Sequence, residues 1–134
     1  NMFDHNIYLS GSPKTEGFNF FTSVRVIGNT LYGSAVDEDG VCHGSPLVGH
    51  GKKQDVLIED NLIYESAAGG GCWGIAMDAA YTSDEEFRNL IIRGNRVYNT
   101  GNTSIAIGSC IDCLIENNNV VNEMPGFTLI GMNV

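Results

Sequence analysis

The side chains best suited to acid–base chemistry in this sequence are Asp78 and His50. Asp78 ends a short apolar run, and three similar runs end instead on a glycine: Gly49, Gly108 and Gly131. A carboxylate beside an imidazole can act as general acid and general base. If the runs stack on one another, Asp78 and His50 lie on neighbouring layers and form the candidate catalytic pair. The alternative is that Asp78 only caps the turn that follows its run.

Three consecutive acids, Asp37, Glu38 and Asp39, are candidates for binding a cation. Carboxylate oxygens are ligands that Ca²⁺ prefers, so the segment is a candidate Ca²⁺ site. Its spacing is not that of an EF-hand loop. The alternative is a solvated acidic loop that holds no metal.

Candidate ligand contacts lie near these charged residues. Trp73 lies in the glycine-rich segment 69–74, where its ring can stack on a ligand or can instead cover the apolar edge of the core. His43 belongs to the same insertion as the acids, and Lys52 lies close after His50. Both are candidate ligand contacts, although Lys52 and Lys53 are more simply interpreted as a solvated turn.

A repeated motif must position these residues. It reads apolar-x-apolar-x-x-Asn-x-apolar and occurs as VRVIGNTLY, VLIEDNLIY, LIIRGNRVY and CLIENNNVV. Its asparagines are Asn29, Asn61, Asn95 and Asn118, at successive spacings of 32, 34 and 23 residues. A weaker copy near the start puts Asn6 in the same place. Such self-similarity is typical of a solenoid, in which like residues stack in columns.

The repeats predict strands, because their apolar residues alternate with a period of two over short runs that Gly and Asn interrupt. A strand that returns without an intervening helix has to pair in parallel with its previous copy, about 4.8 Å away. The predicted fold is therefore an all-β parallel β-helix of about five coils, with the asparagines stacked as a ladder at a bend.

The same alignment predicts which side chains share a column. Three columns point inward: Val24/Val56/Leu90/Cys113, Val26/Ile58/Ile92/Ile115 and Leu31/Ile63/Val97/Val120. Tyr32, Tyr64 and Tyr98 form a further column, which we interpret as stacking along the solenoid and alternatively as a platform for a ligand. Arg93 lies between Glu59 and Glu116, which predicts a cross-strand charge ladder.

The four cysteines divide into two pairs. Cys42 and Cys72 precede equivalent runs by nearly the same number of residues, so they should lie on adjacent coils within the reach of a disulfide. Such a bridge would tie together two inserted loops. Cys113 falls in an inward aliphatic column, which favours a buried thiol over a redox or metal role for the Cys110-x-x-Cys113 pair.

The repeats, with GIAMD, NLIIRGNRVYNTG and SIAIGSCIDCLIENNNVV, resemble the right-handed parallel β-helix repeat of the pectate-lyase-like family over nearly the whole chain. The resemblance implies a protein that meets polysaccharide outside the cell or on a cell or virion surface. Gly49-His50-Gly51 is also similar to a motif of polygalacturonase-like hydrolases, whose paired aspartates and Arg-x-Lys segment are not at the expected places.

Two functions are consistent with that resemblance. The first is a polysaccharide lyase or glycoside hydrolase, with Asp78 and His50 as catalytic residues and Ca²⁺ at the acidic segment. Trp73, Lys52 and His43 are the candidate substrate contacts, and Trp73 would also be the contact in a non-catalytic binding protein. The alternative is a non-catalytic carbohydrate-binding, adhesive or structural β-helix, such as a segment of a phage tailspike or surface protein.

Composition excludes other classes of function. Sixteen acidic residues against seven basic ones give a net charge of −9. This balance argues against a nucleic-acid partner, because phosphate recognition needs clustered Lys and Arg. No apolar run is long enough to span a bilayer.

The chain of 134 residues is predicted to be one β-helix domain, 1–134, and to be a segment whose ends contact further coils or subunits.

Overall fold

The computed structural model describes residues 5–10, 20–33, 36–37, 39–65, 72–77, 85–101, 103–123 and 131–133. Across these residues the regular elements are all β-strands, and none of them is a helix. The same residues therefore contain no helix with the length and apolar character that crossing a membrane requires. The predicted all-β class is confirmed.

The strands form three parallel sheets. Sheet A contains β1 (Ile7–Leu9), β4 (Leu47–Gly49), β7 (Trp73–Met77), β10 (Thr103–Ile107) and β14 (Met132–Asn133). Sheet B contains β2 (Phe21–Ile27), β5 (Lys53–Glu59) and β8 (Phe87–Arg93), with β11 (Cys110–Ile111) and β12 (Leu114–Glu116) both paired to β8. Sheet C contains β3 (Thr30–Tyr32), β6 (Leu62–Tyr64), β9 (Arg96–Tyr98) and β13 (Asn119–Val121).

The chain runs from sheet A to sheet B to sheet C and returns to sheet A one layer further on. Each strand pairs in parallel with its equivalent in the next layer, which is the arrangement of a parallel β-solenoid. Backbone pairing confirms the predicted columns, for example Val26 with Ile58, Ile58 with Ile92, and Ile92 with Ile115. Ile58, Ile63 and Ile92 are completely buried in the core between the sheets.

Stacked asparagines fix this register at the bend between sheets B and C. Asn95 Oδ1 accepts hydrogen bonds from the backbone N–H of Asn61 at 3.0 Å and from Asn61 Nδ2 at 2.9 Å. Asn61 Nδ2 also donates to the carbonyl of Val26, and Asn29 and Asn118 continue the series. Because Asn61 and Asn95 are buried, these bonds satisfy amides that would otherwise be costly to desolvate. The predicted asparagine ladder is confirmed.

A second ladder, which the repeat motif does not reveal, runs through the middle of sheet B. Ser23, Asp55, Asn89 and Asp112 are equivalent residues of successive layers, and their φ angles lie between 48° and 61°. In each layer this left-handed residue forms a bulge, and the alternation of inward and outward side chains is shifted by one residue after it. The residues on either side of the bulge therefore both face the core, as Phe87 and Leu90 do.

The outer faces of the sheets differ in exposure. On sheet A the outward residues Val48, Ala76 and Ala106 of the middle layers are buried, whereas Tyr8, which pairs with Val48 in the same column, is 46% exposed. On sheets B and C the outward residues alternate with buried ones and are half-buried or exposed. A large ligand can therefore reach the outer faces of sheets B and C, whereas the middle layers of sheet A are covered.

Three register predictions were wrong. Gly49 pairs with Met77 and not with residue 78, so the layers are offset by one residue at this point. Met132 pairs with Ile105, which places Gly131 before its strand and not in the column of Gly108. Asn6 precedes a strand of sheet A and donates to the carbonyl of Tyr32, so it lies outside the asparagine ladder. In each case a short, variable run carried too little pattern to fix its own alignment.

The ladder gives a direct test of what holds the layers together. We expect Asn95→Ala to lower the free energy of unfolding by about 2–3 kcal/mol, because it leaves the buried N–H groups of Asn61 without an acceptor. Asn29→Ala is the matched control, since the Asn29 side chain is at an end of the ladder and is partly exposed. Urea unfolding of both variants measures the difference, and equal losses would contradict a structural role for the buried amide.

Candidate functional site

His50 lies at the corner where the chain leaves β4 and enters β5. It is 6% exposed, and its Nδ1 is 3.8 Å from Oε2 of Glu85, which precedes β8 in the next layer. The ring of Tyr8, in the preceding layer, lies with its centroid 5.6 Å from that of His50. Lys53, the first residue of β5, is close enough to Glu85 for its pKa to respond to that carboxylate. We call His50, Lys53 and Glu85 the corner cluster.

Lys53 is fully buried, so the prediction that it belongs to a solvated turn was wrong. It occupies the inward column of Phe21 and Phe87, and its ammonium lies 5.4 Å from the centre of the Phe21 ring. Its Nζ donates to the backbone carbonyl of Ser10 at 3.2 Å. Burial lowers the pKa of Lys53 because desolvation penalises the ammonium, while the charge of Glu85 acts in the opposite direction.

Glu85 is the carboxylate that the structure places beside His50. Its side chain is completely buried, and neither carboxylate oxygen has a hydrogen-bond partner among the described residues. Buried ionisable groups that lack hydrogen bonds are expensive, and they concentrate at functional sites. The burial of Glu85 could not be predicted from the sequence, because Glu85 is one of three consecutive acids, with Asp84 and Glu86, in a segment without hydrophobic periodicity. Asp78, the predicted partner of His50, lies outside the described residues.

The acidic insertion is organised by Asp37. Its Oδ1 accepts hydrogen bonds from the backbone N–H groups of Asp39 and Val41, and its Oδ2 lies 2.6 Å from Nε2 of His43. The hydrogen bond from His43, followed by that from Val41, lowers the pKa of Asp37. Both carboxylate oxygens therefore already have partners within the loop. Glu38 lies outside the described residues, and the Ca²⁺ site stays a prediction.

Two disulfides stabilise the loops. Cys42 and Cys72 are joined as predicted, with their Cα atoms 5.3 Å apart, which links the loop after sheet C to the start of β7. Cys110 and Cys113 are also joined, so the predicted buried thiol at Cys113 was wrong. Cys113 does pack against the core, as its column required. The bulge between the two residues turns both side chains inward, and column alignment alone did not reveal this.

The predicted sugar contacts do not form one cluster with His50. Trp73 begins β7 on sheet A, opposite Thr103, and is 36% exposed. His43 is engaged with Asp37 in the acidic loop, and Lys52 is half-buried just before β5. Among the described residues, no hydrogen bond or ion pair joins any of these three side chains to another of them or to the corner cluster. Their roles as sugar contacts stay predictions.

A shallow groove of about 210 Å³ crosses the outer face of sheet B. Its floor is formed by Leu57 and Ile91, and one long side by the left-handed residues Ser23, Asp55 and Asn89. Arg25, Val56 and Arg93 complete the lining. We call this surface the sheet B groove. The groove combines an apolar floor with neutral and charged hydrogen-bonding groups, and residues at equivalent positions of successive layers line it.

Electrostatic pairing within the groove is incomplete. Arg93 Nε donates to Oε1 of Glu59 at 2.5 Å, which confirms part of the predicted charge ladder. Asn89 Nδ2 donates to Oδ1 of Asp55 at 2.7 Å. Arg25 is exposed and forms no ion pair with any other described residue. Its guanidinium is thus available to a carboxylate or hydroxyl group of a ligand.

The tyrosine column lies on the outer face of sheet C. The rings of Tyr32 and Tyr64 are parallel within 7°, with centroids 5.3 Å apart. Tyr64 also pairs in register with Tyr98. Because the rings of Tyr32 and Tyr64 cover one another's faces, this column fits the interpretation as stacking along the solenoid better than that of a sugar platform.

Comparison of the chain with protein-family models, curated proteins and solved structures gives no match. Its function has therefore to be inferred from its own geometry.

The corner cluster predicts a definite double-mutant result. We expect Glu85→Gln to lower the free energy of unfolding by about 1 kcal/mol or more, because it leaves the buried Lys53 ammonium without its counter-charge. Adding Lys53→Met to Glu85→Gln should restore most of the loss, since no buried charge then remains at either position. Urea unfolding of the two single variants and the double variant measures the coupling. Strictly additive effects would contradict an electrostatic interaction between the two residues.

The lowered pKa of Lys53 fixes the sign of a pH effect. Between the folded-state pKa of Lys53 and its usual value of 10.5, the unfolded chain binds a proton that the folded chain does not. The stability of the wild type should therefore rise with pH in this window, relative to that of Lys53→Met. Unfolding titrations of the two proteins from neutral pH upward test this, and parallel curves would contradict the burial of a titrating lysine.

Proposed function

We propose that this protein is an extracellular carbohydrate-binding β-solenoid whose ligand lies in the sheet B groove. The finer architecture that goes with the proposal is a right-handed parallel β-helix of about five coils. The observation that carries the proposal is the groove itself, an open surface of polar and apolar side chains, while the outward residues in the middle layers of sheet A are buried.

The chemistry of the groove suits a sugar. A sugar ring presents hydroxyl groups at its edge and C–H groups on its faces. Asp55, Asn89 and Arg25 offer charged and neutral hydrogen-bonding groups for the hydroxyls, and Leu57 and Ile91 offer an apolar floor. Since each layer repeats the same positions, the groove is suited to a polymer whose units also repeat.

Two further features support the proposal. Both disulfides are of the kind that persists in oxidising compartments, which favours a location outside the cell or on its surface. The net charge of −9 disfavours polyanions in general. Arg25 and Arg93 nevertheless give the groove two cationic side chains, so the panel of ligands to test includes both neutral and uronate polysaccharides.

Binding to a panel of soluble polysaccharides tests the proposal. For a polysaccharide that binds, we expect Arg25→Gln to raise Kd about tenfold, because a charge-assisted hydrogen bond to the ligand is lost. Leu57→Asn should weaken binding as well, since it removes part of the apolar floor. Isothermal titration calorimetry of wild type and variants gives the Kd values.

Arg96→Gln is the matched control. Arg96 is an exposed arginine on the outer face of sheet C, so its substitution changes the net charge equally but leaves the groove intact. We expect its Kd to equal that of the wild type. The proposal fails if Arg96→Gln weakens binding as much as Arg25→Gln does, or if no polysaccharide of the panel binds.

The corner cluster favours a second candidate function, cleavage of the polysaccharide. His50, Glu85 and Lys53 form a buried group of acid and base side chains beside Tyr8, which is 46% exposed. In such an enzyme His50 would act as general base or acid, with Glu85 orienting its ring. In this second candidate function His50 has its predicted catalytic role, and Glu85 takes the role that was predicted for Asp78. The role of Asp78 stays a prediction.

Cleavage is measured by the release of reducing ends and by the ultraviolet absorbance of unsaturated products, with and without Ca²⁺. We expect His50→Gln to abolish turnover while Kd for the polysaccharide stays within about twofold of wild type. Asp78→Asn, assayed in parallel, tests the second predicted catalytic residue. The enzymatic function is contradicted if no polysaccharide of the panel is cleaved, or if His50→Gln retains full activity.

A further inference from the structure

The disulfide between Cys110 and Cys113 closes the bulge between β11 and β12 at the edge of sheet B. The two cysteines flank Ile111 and the left-handed Asp112. Both strands pair with β8 only, and among the described residues no further strand covers their other side. The bridge thus lies where sheet B has pairing on one side alone.

The inner layers hold the same bulge without a covalent bond. The positions of Cys110 and Cys113 are taken by Phe87 and Leu90 in one layer and by Lys53 and Val56 in the next. These four side chains are at most 1% exposed, because layers on both sides pack against them. Cys110 and Cys113 are only partly buried, and among the described residues they have such packing on one side. The disulfide therefore joins the two residues of the bulge in the layer where the described strands provide less packing.

Exposure separates this disulfide from the other one. Ile111, between the two cysteines, is 49% exposed, and Leu114 directly after them is 44% exposed. In the Cys42–Cys72 bridge, Cys72 is completely buried and Cys42 is half-buried, whereas Cys110 and Cys113 are both half-buried. Thiol–disulfide exchange requires a thiolate to approach a sulfur atom, so access controls its rate. The Cys110–Cys113 bridge also closes a loop with a sequence separation of 3, against 30 for the other bridge, and so restrains the unfolded chain less.

We propose that Cys110–Cys113 is a reversible redox latch on the edge of sheet B. A dithiol reductant attacks one sulfur atom through its thiolate, and a mixed disulfide forms. The second thiol of the reductant then displaces the protein sulfur. The protein disulfide gains two electrons and two protons and becomes two thiols, while the dithiol becomes a disulfide. A small disulfide acts as the oxidant in the reverse reaction, in which the two protein thiols form the disulfide again and the small disulfide is reduced to thiols.

Opening the latch loosens the edge strands and leaves the rest of the solenoid paired. Reduced Cys110 and Cys113 remain small apolar residues in inward columns, but the bulge is then held only by its pairing with β8. The pairs of Leu114 with Ile91 and of Ile115 with Ile92 become the first to open. Leu114 continues the outward column of Leu57 and Ile91, so the strand beside the sheet B groove is expected to respond to the redox state. The latch itself does not depend on a bound ligand.

Graded reduction of the folded protein tests the latch. Native protein is treated with increasing dithiothreitol, free thiols are trapped with iodoacetamide, and the alkylated cysteines are identified by mass spectrometry. We expect Cys110 and Cys113 to be labelled about tenfold faster, or more, than Cys42 and Cys72. Hydrogen exchange of the selectively reduced protein should quicken at 110–116 and stay unchanged at 56–64.

The double variant Cys110→Ser/Cys113→Ser is the control. Its hydrogen exchange at 110–116 should already be fast and should not change with dithiothreitol. The reverse experiment adds oxidised glutathione to the reduced wild type, which should recover its slow exchange. The proposal is overturned if both disulfides are reduced at the same rate, or if selective reduction leaves hydrogen exchange at 110–116 as slow as in the oxidised protein.

Discussion

Hydrogen bonds between stacked asparagine amides and the backbone hold the layers of this solenoid in register. Each buried amide accepts from the asparagine of the preceding layer and donates to a carbonyl of that layer. An asparagine displaced by one position would leave several buried polar groups without partners. A slip of one residue would also turn every side chain of a strand to the opposite face. The core columns and the outward surfaces both depend on this constraint.

The surfaces with candidate functions follow from that register. The left-handed residues of sheet B fall in one row because the layers are aligned, and the row forms one side of the sheet B groove. The same alignment brings Glu85 of one layer to His50 of its neighbour and encloses Lys53 in an aromatic column. At β11 and β12, which pair only with β8 among the described strands, a disulfide joins the two residues that flank the bulge. Groove, corner cluster and latch are thus three consequences of stacked layers.

The sequence predicted the parts of the fold that the repeat encodes. Columns such as Val26, Ile58 and Ile92 were predictable because each repeats the same spacing from a ladder asparagine. The burial of Lys53 was not, because a lysine beside another lysine has the pattern of a solvated turn, and only the bulge at Asp55 turns it inward. The burial of Glu85 beside His50 was not predictable either, because nothing in the sequence distinguishes it from its acidic neighbours. The Cys42–Cys72 bridge was predicted because the two cysteines precede similar runs by nearly the same number of residues, whereas the Cys110–Cys113 bridge depends on a backbone conformation that spacing does not show.

Binding in the sheet B groove is tested most directly by mapping a bound oligosaccharide onto the layers through amide chemical shifts. An oligosaccharide of the best-binding polysaccharide is titrated into isotope-labelled protein, and the shift of each backbone amide is followed. We expect the largest changes at the outward residues of β2, β5 and β8, around Arg25, Leu57 and Asn89. Changes confined to the tyrosine column of sheet C, or to Trp73 and its neighbours on sheet A, would contradict binding in the sheet B groove.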